Sequence, residues 1–130
     1  MDSASRFARR RRRAEAEQKA ATKILADVSQ DKAFYFYSAI DAPTGKSARN
    51  FSQFVELINV TELPIIEFHS SRGDFSKWIT MLGDEPLARQ VEDLKKEKLS
   101  PEIYHQRLVK LLTQRLQELQ KKQSGSVSKK

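Results

Sequence analysis

Five consecutive arginines, Arg9 to Arg13, put the tightest limit on how this chain can fold. Such a block repels itself and needs solvent or a polyanion around it, so it cannot enter a core. The flanking residues extend that limit. Residues 1–25 hold eight basic side chains (Arg6, Arg9, Arg10, Arg11, Arg12, Arg13, Lys19 and Lys23) against three acidic ones, a net +5. Residues 121–130 hold Lys121, Lys122, Lys129 and Lys130 and no acid, a net +4. The intervening residues 26–120 hold 12 basic and 14 acidic side chains, a net −2. The formal +7 of the 130-residue chain therefore lies wholly in its two ends. We expect an Arg-rich arm over residues 1–26, a small globular domain over 27–120 and a Lys/Ser tail over 121–130.

Composition excludes several function classes. Without cysteine there is no disulfide framework, no thiolate zinc site and no thiol catalysis. Two histidines, His69 and His105, do not suffice for a His-rich metal cage, so neither metal nor cofactor is expected. Apolar runs of a few residues fall far short of the roughly 20 needed to cross a bilayer. No apolar segment follows the N-terminal charges, as a secretory signal requires. The arginines are contiguous rather than spread around an amphipathic helix, which argues against a mitochondrial transit peptide. The expectation is a soluble, cytoplasmic protein that meets no membrane.

Ala, Arg, Glu, Gln and Lys dominate Ala8 to Ala26, and all are strong helix formers. Arg11, Glu15 and Lys19 follow one another at i,i+4 spacing. The stretch has no apolar stripe before Ile24 and Leu25, so alone it makes a marginal helix that a phosphate partner would firm up. Phe34 to Ile40 is the densest aromatic run and is compatible with either strand or helix. Asp41 to Gly45 has loop chemistry. Asn50, with Gln53 at the capping-box position, precedes helically spaced Phe51, Phe54, Leu57 and Ile58. Leu63 to His69 is a short apolar piece of ambiguous type. Asp74 reads as the N-cap of a helix bearing Phe75, Trp78, Ile79 and Leu82, which Gly83 ends. Asp84 caps a helix with Pro86 in its first turn, and Ser100-Pro101 opens the longest one, striped by Tyr104, Leu108, Leu111, Leu112, Leu116 and Leu119. The expected fold is mainly α: four to five helices, one or two short extended segments and a basic helical arm.

Few motifs carry chemistry. Gly45-Lys46-Ser47 ends like a phosphate-binding loop, but the glycine required five positions before Gly45 is Ile40. A turn before the helix at Asn50 explains it better. His69, Arg72 and Asp74 are the one compact acid–base set, and a cleft containing all three would be needed for catalysis. The plainer reading makes Asp74 a cap, Arg72 a partner for an acid such as Glu67, and His69 a half-buried core residue. No catalytic residue is assigned, and the chain is not expected to be an enzyme. His105 reads as surface. Phe34 to Tyr37 lacks interleaved basic residues, which favours core packing over a stacking platform for bases.

Phe34-Tyr35-Phe36-Tyr37, Gly45-Lys46-Ser47-Ala48, Phe51 and Phe54, Glu67-Phe68-His69, Arg72-Gly73-Asp74-Phe75 with Trp78-Ile79, and Leu82-Gly83-Asp84 with Leu87-Ala88 together form a pattern. It resembles, over about residues 33–118, an uncharacterised small domain of unknown function found in archaea and some bacteria. That resemblance implies a mostly helical domain and supplies no active-site residues. By analogy of architecture alone, the basic ends resemble the extensions of ribosomal proteins. Arginine suits bidentate phosphate contacts and stacking on bases. The leading expectation is therefore an RNA-binding accessory protein, ribosomal or ribosome-associated, that contacts rRNA phosphates and neighbouring ribosomal proteins. The candidate contact residues are Arg6, Arg9–Arg13, Lys19, Lys23, Lys121, Lys122, Lys129 and Lys130. A DNA- or chromatin-associated protein using the same arm and a protein–protein adaptor are the alternatives. No small-molecule substrate is expected.

Overall fold

Three of the helices begin where a short polar side chain takes up an otherwise free N–H group. The computed structural model describes the backbone of residues 3–125 and the side chains of 6–125. Asn50 Oδ1 accepts from the Gln53 N–H at 2.8 Å and starts α2, Phe51–Val60. Asp84 Oδ1 accepts from the Leu87 N–H at 3.3 Å and starts α5, Glu85–Lys95. Ser100 Oγ accepts from the Ile103 N–H at 3.4 Å and starts α6, Pro101–Ser124. Between them, α3 (Leu63–Arg72) opens with Pro64 in its first turn, and α4 spans Asp74–Leu82. With the N-terminal α1, Ser3–Leu25, the described residues form six α-helices and one two-stranded antiparallel sheet. The molecule is mainly α, as the sequence predicts.

The segments left ambiguous by sequence resolve in opposite directions. Phe34–Ala39 is strand β1, while Leu63–Arg72 is helix α3. The Asp41–Gly45 stretch, expected to be loop, belongs mostly to strand β2, Ala42–Ala48, and the turn is only Ile40–Asp41. The reason is pairing: Phe34 opposes Ala48 and Tyr35 opposes Ser47, and Thr44 Oγ1 donates to the Phe36 carbonyl at 2.8 Å. Strand alternation then splits the aromatic run, with Phe34 and Phe36 buried, Tyr35 exposed and Tyr37 half-buried.

Phe34 is the centre of the core. Its ring lies 4.8 Å from Phe36, 4.9 Å from His69, 5.2 Å from Phe54, 5.6 Å from Phe75 and 5.8 Å from Trp78. These separations and tilts are the edge-to-face and offset geometries that aromatic quadrupoles favour. The long helix α6 adds buried Tyr104, Leu108, Leu112 and Leu119, with Leu111 and Leu116 packed at the margin. His105, expected on the surface, is half-buried because its Nε2 bonds the Ile58 carbonyl at 2.8 Å and ties α6 to α2.

One charged pair lies inside this frame. Arg115 Nε and Nη2 donate to Asp84 Oδ2 and Oδ1 at 2.7 and 3.3 Å, and Nη1 donates to Glu118 at 3.0 Å. Burial opposes the guanidinium charge, but the hydrogen bonds and charges of Asp84 and Glu118 outweigh it and raise Arg115 above its ordinary range. Asp84 thus starts α5 and anchors α6 with one carboxylate.

The core also takes in the end of α1. Ala21 and Ile24 are buried, and Ile24 packs over the left-handed Gly83 (φ 109°) that ends α4. Gln18 Nε2 donates to the Gln123 carbonyl at 2.8 Å. Residues 18 to 24 of α1 therefore run antiparallel to α6. The arm, expected to be marginal alone, is thus packed on the body at its C-terminal end. Anchoring at Ala21 and Ile24 offsets nucleation, and Ala/Arg/Glu-rich sequence propagates the helix from there.

Candidate functional site

In α1, Arg6, Arg9, Arg10, Arg11, Arg12, Arg13, Lys19 and Lys23 are all exposed. Five successive helical residues step about 100° each, so Arg9 to Arg13 cover the whole circumference. No face of this half can lie on the body. With Gln18 as the last described anchor, Arg6 stands twelve residues, roughly 18 Å, further along the helix. None of the side chains of Arg6 and Arg9–Arg13 makes a hydrogen bond or ion pair with another described residue. Arg10 is over the exposed Phe7 ring at 5.8 Å. The i,i+4 spacings of Arg11, Glu15 and Lys19 do not close into ion pairs among the described residues.

Sequence alone could not say whether the two basic ends lie near each other. Lys121 and Lys122 are exposed in the last turn of α6, one to two residues from Gln123. The Gln18–Gln123 bond therefore sets this pair beside the base of the arm. Lys129 and Lys130 lie outside the described residues. Gln18 and Ala21, which make the junction, were not singled out by sequence reasoning. Neither residue type advertises an anchor inside a basic helix.

The second site is a cleft of about 520 Å³ between β1 and the α3–α4 corner. It contains His69, Arg72 and Asp74 together, as the acid–base reading required. Asp74 is not the cap expected from sequence: the N-cap position of α4 is Gly73, and Asp74 is the first helical residue. Its Oδ2 is used sideways, accepting from Arg72 Nε at 3.1 Å and bonding His69 Nδ1 at 2.8 Å. Arg72 thus pairs with Asp74 rather than Glu67. His69 is 3% exposed, and its Nε2 accepts from the Tyr37 N–H at 2.9 Å. That bond fixes the tautomer: Nδ1 carries the proton and donates to Asp74. Both ring nitrogens are committed, so His69 has no free nitrogen for a substrate proton. The set pins β1 to the α3–α4 corner.

The cleft has further features that sequence reasoning missed. Arg72 lies over the Phe68 ring at 5.0 Å. Lys77, Trp78, Tyr35, Tyr37 and Asp41 complete much of the lining. The alternation Phe-Tyr-Phe-Tyr was the available signal, since it puts both tyrosines on the face opposite the core once the segment is a strand.

No group of three or more His, Cys, Asp or Glu side chains suited to a metal ion occurs among the described residues. Among the same residues, no helix is long and apolar enough to cross a membrane. No family model matches the chain, and no match was found among curated proteins or solved structures.

Proposed function

We propose that this protein binds folded RNA as an accessory component, with ribosomal RNA as the leading candidate and the ribosome as its setting. The observation that carries the reading is the Arg9–Arg13 block, exposed around the whole circumference of a helix held at one end. Folded RNA can surround such a helix with phosphates on several sides. A duplex groove leaves the outward side of a helix uncovered. Adenine readout in a groove asks for Asn or Gln on the inserted helix, whereas arginine serves guanine and phosphate alike. The one such amide in α1, Gln18, is bonded to the Gln123 carbonyl. Arginines on every side of the helix suit phosphates that surround it better than base edges on one side, in keeping with shape-governed RNA recognition. Lys121 and Lys122 form a second contact at the base of the arm, and the mildly acidic body faces protein or solvent.

Deletion of residues 1–13 tests this directly. The truncated protein should keep its fold, since no buried residue precedes Ala21 among the described side chains. It should lose most of its affinity for ribosomal RNA and stop co-sedimenting with ribosomal particles, as ribonuclease treatment should also achieve. Undiminished binding by the truncated protein would end the proposal. Competition at fixed salt decides the nucleic acid: a preference for duplex DNA over ribosomal RNA replaces this reading with a DNA-associated one.

A further inference from the structure

We propose that the cleft between β1 and the α3–α4 corner is a nucleotide site, with phosphate on Arg72 and Lys77 and the base among the rings of Tyr35, Tyr37 and Phe68. Its volume of about 520 Å³ falls within the roughly 300–1,000 Å³ of small-molecule sites. This inference does not rest on the basic arm.

Arg72 is held from more than one side. Its Nε donates to Asp74, and its guanidinium lies over the Phe68 ring at 5.0 Å. Asp74 is oriented in turn by the buried His69, whose other nitrogen is fixed by the Tyr37 backbone. Three successive partners and the Phe68 ring thus hold one arginine, yet both its Nη groups have no partner among the described residues. A guanidinium presenting its Nη edge from a fixed plane is the geometry that reads an oxyanion bidentately. Lys77, also lining the cleft, has no ion-pair partner among the described residues. Two cationic heads suit a phosphate better than a single carboxylate.

The walls select the rest of the ligand. Tyr35 is 44% exposed, yet its hydroxyl is tied to the Gln30 carbonyl, so its ring is held in place. Trp78 is fixed likewise by its Nε1 bond to the Lys32 carbonyl at 2.8 Å. Stationary aromatic surfaces beside a phosphate-reading arginine suit a flat base joined to a phosphate. The nucleotide could be a free monophosphate or an unstacked residue within an RNA strand.

Trp78 is the sole tryptophan and lines the cleft, so its fluorescence reports on this site in the full-length protein. Titration with each of the four ribonucleoside 5′-monophosphates should give a saturable change with at least one. Arg72→Gln and Lys77→Gln should each weaken that binding about tenfold, the size expected for losing charge-assisted hydrogen bonds. Arg72→Lys should not restore it. Both side chains are exposed, so the variants should fold, and an unchanged urea midpoint checks this. A strand nucleotide is the source if a trinucleotide binds more tightly than the monophosphate, and a free nucleotide is the source if extension weakens binding. The proposal fails if no monophosphate saturates Trp78. It fails equally if inorganic phosphate or benzoate binds as tightly, or if Arg72→Gln binds like the parent.

Discussion

Arg115 and the arginines of the arm share one side chain, and the molecule treats them in opposite ways. Arg115 is half-buried between α5 and α6, with Asp84 and Glu118 taking its donors. Arg9 to Arg13 are exposed around a helix that extends past the body and find no acidic partner among the described residues. A charge placed like Arg115 has its hydrogen-bonding capacity consumed by folding, and removing its partner strands it. Charges placed like Arg9 to Arg13 contribute little to the fold. Their cost is mutual repulsion, and their donors stay available for an external polyanion. The distinction between structural and spare charge is therefore visible in partners, not in residue type.

The comparison breaks most readily at its buried end. Asp84→Ala should cost about 3–5 kcal/mol in urea unfolding, because it removes a helix cap and leaves the half-buried Arg115 with Glu118 alone. Replacing Arg9 to Arg13 together by Gln should move the same measurement by no more than about 0.5 kcal/mol per site, in either direction. A large loss from the arm variant would make those arginines structural and erase the contrast.

The next effect separates the two halves of α1. Ile24→Ala should cost about 2–4 kcal/mol and lower the helicity of the arm, since Ile24 is buried against the end of α4. A smaller effect belongs to the exposed Gln18 bond. Gln18→Ala should cost about 0.5 kcal/mol, yet broaden the distance between spin labels at positions 10 and 122. The chain has no cysteine, so both labels can be introduced without interference. An unchanged distance distribution would show that Gln18 does not hold the arm beside Lys121 and Lys122.

The smallest effect tests a partly exposed charge between the two extremes. Ser76 Oγ donates to Glu92 at 2.6 Å and, against a desolvation cost, holds the Glu92 carboxyl below its usual range with help from Lys95. A depressed carboxylate stabilises the fold above its unfolded value, and that contribution fades as pH falls through the folded value. The stability gap between the parent and Ser76→Ala should therefore be widest above about pH 5 and narrow below about pH 4. A gap that widens in acid would reverse the assignment.

Helix starts and stops were legible where a side chain could act on its own backbone, as at Asn50, Asp84 and Ser100. The same logic failed at Asp74, because three groups competed for one carboxylate and the two from His69 and Arg72 won. The hairpin was hidden for a related reason. Pro43 and Gly45 carry turn chemistry, but pairing with an aromatic strand over the core overrides local preference. Charge partition found the exposed arginines but carries no signal for which part of the arm packs on the body. Ala21 and Ile24 join the core from within a basic stretch, and only packing against α6 and α4 reveals it. The cleft was less legible still, since it assembles from β1, α3 and α4.

The central claim is that the spare arginines, rather than the folded body, carry RNA affinity. The direct measurement is ribosomal-RNA affinity across a salt series for the full chain and for the variant with Arg9 to Arg13 replaced by Gln. Five phosphate contacts predict log–log slopes that differ by about 3.5 between the two proteins if the RNA there is unpaired and about 4.5 if it is duplex, with the full chain steeper. Matching slopes and affinities for two equally stable proteins would contradict the account.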